Sequence, residues 1–318
     1  MIKRMTTAVT AAALFVGLLG AVPNDASSGD PNQVRIVTSD IGNFWRAFDD
    51  ASKTGDLSER TAIFGREYFL PGSDGLWGFV GGRLRSPKYV AILTAAKRAE
   101  YLAVRAATLQ MASAAPGIRA DFARFKDMYP AVSFPTLYFV IGAWNSGGTI
   151  APGIGDIMGA EILAKNGIGS IPGIVTHETM HFNQRDADEN TVTDYVLNEG
   201  SADFLAELVN GPVQSNETWA FGCAHEDQLW ALFLQDAKKD KDDVINSWVF
   251  SDKAPLGAPA FIGYWVGYRI VQTYYDNAAD KRAAVYNILH MQDYPAFLAA
   301  SGYPAKRPPC ERVGQWRV

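Results

Sequence analysis

Residues 173–184 read GIVTHETMHFNQ and hold two of the chain's four histidines, His177 and His181, with Glu178 directly after the first. No other stretch constrains the chain so strongly. On a helix, positions four apart lie about 40° from each other around the axis, so both imidazoles leave the same face and can share one ion. Glu178 lies about 100° from His177, close enough to reach a water on that ion without binding the ion itself. The pattern therefore demands a helix here, and Pro172 is a residue type that opens one. A metal site that does chemistry needs a third protein ligand and leaves one position open.

The third ligand is sought on a neighbouring helix. VTDYVLNEGSADFLAELVNG has helical character, with Gly211 just past its end. It offers Glu199, eighteen residues after His181, and Asp203 one turn later on the same face. A carboxylate at Asp203 can accept a hydrogen bond from the outward nitrogen of a ligating histidine and fix its tautomer. The chain's other histidines, His225 and His290, read as surface or packing residues.

H-E-x-x-H followed by E-x-x-x-D on the next helix resembles the gluzincin metallopeptidases, and the eighteen-residue step is similar to that of thermolysin and the aminopeptidase N relatives. HETMH with NEGSADF and GYWVGYRIV also resembles bacterial proteins grouped as predicted zinc-dependent proteases around a domain of unknown function. The resemblance covers residues 130 to 300. It implies one Zn2+ per chain held by His177, His181 and Glu199, with Glu178 as general base and Asp203 as the outer carboxylate. It also implies a tyrosine that donates to the oxyanion, in a Y-x-x-G setting. YWVG places Tyr264 there, with Tyr268 in reserve. Gluzincins lay an extended substrate along an edge strand, and Gly147, Gly148 and Thr149 in the stretch before the metal helix are the corresponding candidates. The aminopeptidase hallmark Gly-x-Met-Glu-Asn is absent, and MGAEIL with Glu161 is only an echo of it.

The rest of the chain supplies context. Lys3 and Arg4 precede an uncharged apolar run over 6–22, an export signal ending near residue 26 or an uncleaved anchor. The expected location is periplasmic or extracellular, with membrane contact only if the segment is retained. The two cysteines, Cys223 and Cys310, are then expected to form a disulfide. Residues 27–39 read as a linker, 40–130 as an N-terminal helical region and 131–318 as the metallopeptidase region. SPKYVAILTAAKRAEYLAVRAATLQMA, from Ser86, reads as one long helix, and FPTLYFVIGAW and GDIMGAEIL as short strands. The order is helices, a small sheet, then helices. The expected fold is α+β and helix-dominant, zincin-like, with the sheet beside the H-E-x-x-H helix.

A net charge of −5 without a basic run excludes a nucleic-acid partner. GIGDIMG and GIGSIPG miss the dinucleotide fingerprint and lack its strand–turn–helix setting, which excludes a nucleotide cofactor. The expected function is zinc-dependent hydrolysis of a peptide or protein substrate. Two alternatives stay open: a non-catalytic zinc-stabilised binding module, and a zinc hydrolase acting on a non-peptide bond.

Overall fold

The computed structural model describes residues 27–185, 189–250 and 254–316. The export segment at 1–26 lies outside the described residues. Among the described residues six short strands occur: β1 (Ser27–Ser28), β2 (Ile36–Val37), β3 (Phe134–Pro135), β4 (Leu137–Val140), β5 (Gly148–Ala151) and β6 (Gly155–Gly159). Among the described residues six α-helices precede β3: α1 (Ser39–Ala51), α2 (Leu57–Phe64), α3 (Asp74–Phe79), α4 (Pro87–Ala96), α5 (Arg98–Thr108) and α6 (Ala115–Met128). After the sheet come α7 (Ala160–Leu163), α8 (Ile171–Asn183), α9 (Val192–Asn210), α10 (Asn216–Asp236), α11 (Lys241–Val249), α12 (Ile262–Asn277), α13 (Lys281–Leu289) and α14 (Tyr294–Ser301). The architecture is α+β with helix dominant.

The main sheet has the order β2-β4-β6-β5, with β2, β4 and β6 parallel and β5 antiparallel at one edge. β4 and β6 are buried along their whole length, as strands covered on both faces must be. Alternation along β6 shows how. Ile157 faces α3, where it limits the space beside Gly78, while Asp156 faces Glu178 on α8. Residues 27–39, expected as a linker, carry β1 and β2; a strand of two residues leaves no periodicity to read.

The long helix expected from Ser86 is two helices. Lys97 leaves helical geometry (φ −111°, ψ 29°) between α4 and α5, with no Gly or Pro at the break. α4 packs on α2 whereas α5 packs on α7, so tertiary contacts override propensity at this joint.

α9 is the centre of the C-terminal half. It packs against α8 on one side and α12 on the other. Nearly all its residues are buried, including Val196, Leu197, Phe204, Leu205, Leu208 and Val209. Each such side chain contributes roughly 1.5–3 kcal/mol of burial. Thr191 and Asp194 close a reciprocal capping box at its start, and Gly211 (φ +101°) ends it. α9 and α12 touch backbone to backbone where Gly200 meets Gly267. A Cβ on Gly267 would lie 1.9 Å from the Val196 carbonyl oxygen, and one on Gly200 2.4 Å from Gly267 C. This approach brings the start of α12 against the middle of α9.

Cys223 and Cys310 form a disulfide with Cα atoms 5.7 Å apart. It fastens the C-terminal tail to α10. Fully buried Arg269 donates to Glu226 (2.9 Å) and to the Pro308 carbonyl (2.7 Å), and Arg312 donates to Glu207 (2.9 Å). Buried residues from Val34 to Tyr303 form one continuous core. Among the described residues no helix is long and apolar enough to cross a membrane.

Candidate metal centre and cleft

α8 presents His177 and His181 on one face, and α9 presents Glu199 opposite them. His177 Nε2 lies 3.2 Å from His181 Nε2 and 3.4 Å from Glu199 Oε2, and His181 Nε2 lies 3.3 Å from the same oxygen. The three atoms form a nearly equilateral triangle. Ligand atoms held at about 2.0–2.2 Å by a tetrahedral zinc are about 3.3–3.6 Å from one another. The triangle thus has the dimensions of one face of a zinc tetrahedron.

Both histidines are turned so that Nε2 points inward. His177 Nδ1–H donates to Asp203 Oδ1 at 2.8 Å, and Asp203 Oδ2 is held in turn by Gln214 Nε2 at 2.8 Å. His181 Nδ1–H donates to Gln184 Oε1 at 2.6 Å. The Gln184 amide is fixed by its NH2, which donates to the Asn198 carbonyl (2.9 Å) and Ser201 Oγ (2.8 Å). Gln184 and Gln214 are thus the outer supports that reading the sequence missed. Gln184 stands three residues after His181, inside the opening stretch, but the C-terminal residue of a helix gives no period to follow.

The electrostatics belong to a site built for a cation. Burial opposes the His177 imidazolium, but the hydrogen bonds to Asp203 and Glu199 outweigh it and leave the His177 pKa well above normal. Burial likewise opposes charge on His181, and Glu199 outweighs it. Burial raises Glu199, yet the charges of His181 and His177 hold it well below the ordinary carboxylate range. Asp156, beneath Glu178 on β6, is fully buried with both carboxyl oxygens unpartnered. Burial and the nearby Glu178 push its pKa far up.

Glu178 lies against the edge strand. A Cβ on Gly148 would fall 2.5 Å from Glu178 Cδ and 2.6 Å from Oε1, so only glycine leaves room for this carboxylate. Gly148 and Thr149 open β5, with Gly147 directly before it, and β5 pairs with β6 on one side only among the described residues. Together with Glu178 and the three triangle residues they line a cavity of about 830 Å3.

Tyr264 stands over the triangle from α12. Its ring is parallel to that of His177 (3°), with centroids 6.3 Å apart. Its hydroxyl is 3.2 Å from that of Tyr195, one turn before Glu199 on α9. Burial raises both phenols well above normal, with the Glu199 charge adding to it, so both keep their protons. Tyr195 was not legible in the sequence, because its partner is sixty-nine residues away. Tyr268 is elsewhere. It donates to Glu207 and accepts from the Val313 amide, within the tail contacts. His225 and His290 cap carbonyls of Phe221 and Tyr286 on their own helices. Glu161 is also remote from the triangle: its carboxylate accepts from the amides of Gly142 (2.7 Å) and Trp144 (3.0 Å).

Fold and site together define a helical α+β protein in which His177, His181 and Glu199 are grouped so that they could hold a metal ion. Residues 143–292, a little under half the chain, match the model of family DUF2268, described as a predicted Zn-dependent protease. No curated protein and no solved structure matches the chain.

Proposed function

We propose that the chain is an exported zinc peptidase that hydrolyses peptide bonds with Glu178 as general base. The observation that carries this is the nearly equilateral triangle of His177, His181 and Glu199 with Glu178 lining the same cavity. The donor set suits zinc: two neutral imidazoles and one carboxylate, each oriented by an outer hydrogen bond or by the opposing helix. Bound zinc would supply Lewis acidity, making a water acidic near neutral pH and polarising the scissile carbonyl.

The chain's own residues do the rest. Main-chain groups of β5 hold an extended peptide by strand addition over Gly147–Thr149. Glu178 accepts the proton of the attacking water and passes it to the departing amine nitrogen. Tyr264, kept protonated, donates its hydroxyl to the oxygen that gains charge as the carbonyl carbon becomes tetrahedral. Tyr195 fixes the direction of that hydroxyl. Asp203 and Gln184 hold the imidazoles in the tautomer that leaves Nε2 free. The disulfide and the export signal suit work outside the cytoplasm.

Glu178→Gln tests the reading. The variant should hold as much zinc as the parent and hydrolyse casein at least a hundredfold more slowly. Equal hydrolysis by the variant would remove Glu178 from the chemistry.

A further inference from the structure

Two cavities meet at His177, one corner of the metal triangle. The cavity along β5 is one of them. A second cavity, of about 750 Å3, adjoins it, and His177, Phe261 and Tyr264 line both. Ile174, Pro212, Val213, Pro259 and Ala260 make the second cavity's wall largely apolar, with no lysine or arginine on it. Phe261 stands where the two cavities meet. It is 47 % exposed and holds a left-handed backbone (φ +64°), an unusual conformation for a bulky residue and one that clusters at functional sites.

An exopeptidase also needs a fixed charge that grips one chain terminus beside the scissile bond. Among the described residues, Glu217 on the second cavity is exposed, and a solvated carboxylate does not fix a terminus in one place; the other acids near this site are engaged. Glu161 is buried on the Gly142 and Trp144 amides. Glu189 accepts from Asn198 at 2.6 Å and pairs with Lys241 at 3.5 Å. Glu178 and Glu199 belong to the centre itself. Among the described residues, the cations on the β5 side are Arg83 and Arg185; both are exposed, and a solvated guanidinium does not fix a terminus in one place.

We infer that the protein is an endopeptidase for extended polypeptides, and that an apolar side chain adjoining the scissile bond sits in the second cavity against Ile174, Val213 and Phe261. This rests on the peptidase reading above. The amide C–N bond breaks, water gives its hydroxyl to the carbonyl carbon and its proton to the nitrogen, and no other reactant is needed. The substrate chain continues past the metal on both sides, so neither terminus is read.

The test uses the zinc-loaded full chain and a pool of fourteen-residue peptides. Each peptide is made twice, with free termini and with an acetylated N-terminus and amidated C-terminus, and products are identified by mass spectrometry. The expected result is internal cleavage of both forms at rates within about twofold, with Leu, Phe, Tyr or Met enriched at one position beside the cut. Val213→Glu, on a partly exposed loop, should then lower kcat/KM about tenfold for an apolar residue at that position and favour lysine there. Removal of one or two residues from free-ended peptides only would overturn the endopeptidase assignment. An unaltered preference in Val213→Glu would overturn the assignment of the second cavity. Hydrolysis of no peptide at all would instead bring down the peptidase reading itself.

Discussion

Gly148→Ala is the most discriminating single substitution at this site. The added methyl would lie 2.5 Å from Glu178 Cδ, whereas ordinary contact begins at 3.4 Å. The carboxylate must therefore retreat by about 0.9 Å, which a flexible glutamate can do without disturbing the fold. A misplacement of about 1 Å in a reacting group costs on the order of a hundredfold, equivalent to about 2.7 kcal/mol of barrier. The three atoms nearest the methyl all belong to Glu178 rather than to His177, His181 or Glu199, so zinc content should not change. Gly147→Ala is the matched control. Its methyl meets Ile162 and Leu163 at 3.6 and 3.7 Å, which is ordinary packing, and activity should stay within about threefold of the parent. The assay is steady-state hydrolysis of an internally quenched peptide, with zinc measured on the same samples. If Gly148→Ala kept full kcat, the carboxylate would not need its place against β5, and the assignment of Glu178 as base would lose its geometric support.

Three other outcomes follow from the same structure. Asp203→Asn and Gln184→Ala should each weaken zinc binding by about 10–100-fold, read by competition with a chromophoric chelator, because each leaves one imidazole without its orienting partner. Removing the Cys223–Cys310 bridge by Cys310→Ser frees an eighty-seven-residue separation and should cost about 4 kcal/mol, seen as a lower Tm that reductant does not lower further. Burial raises Glu161 to about 7 from its ordinary 4.5, against the pull of the Gly142 and Trp144 amides. Below the ordinary value both states carry the proton and the contribution is whole. As pH rises from 4.5 towards 7 the unfolded chain ionises first, so stability should fall by about 3 kcal/mol and then level off. Denaturant titrations of the parent between pH 4 and 8 should show that decline, and Glu161→Gln should flatten it.

The metal centre was legible because its logic is local. A four-residue helical step aims two imidazoles at one point, and a carboxylate pair on the next helix repeats the same step, so residue type and spacing carry the geometry. β4 was legible for a similar reason, since a strand covered on both faces reads as an unbroken apolar run, while in β6 only Ile157 and Met158 carry that signal beside the buried Asp156. What escaped is what long-range contact decides. β2 pairs with β4 across about a hundred residues of helix and is two residues long. The break at Lys97 comes from α4 and α5 packing on different partners. Gln184 and Gln214 became visible as supports only when α8, α9 and the following loop were brought together. Tyr195 meets Tyr264 because Gly200 and Gly267 let two helices touch, and neither glycine announces a partner in the sequence.

The central claim is that one zinc ion on His177, His181 and Glu199 enables peptide hydrolysis. Its most direct test is to strip the purified full chain with a chelator, return zinc in measured increments, and follow hydrolysis of casein alongside bound metal. Activity should rise linearly and saturate at one zinc per chain, and Glu199→Ala should neither retain the ion nor recover activity. Hydrolysis that survives stripping, or full zinc binding by Glu199→Ala, would contradict the account.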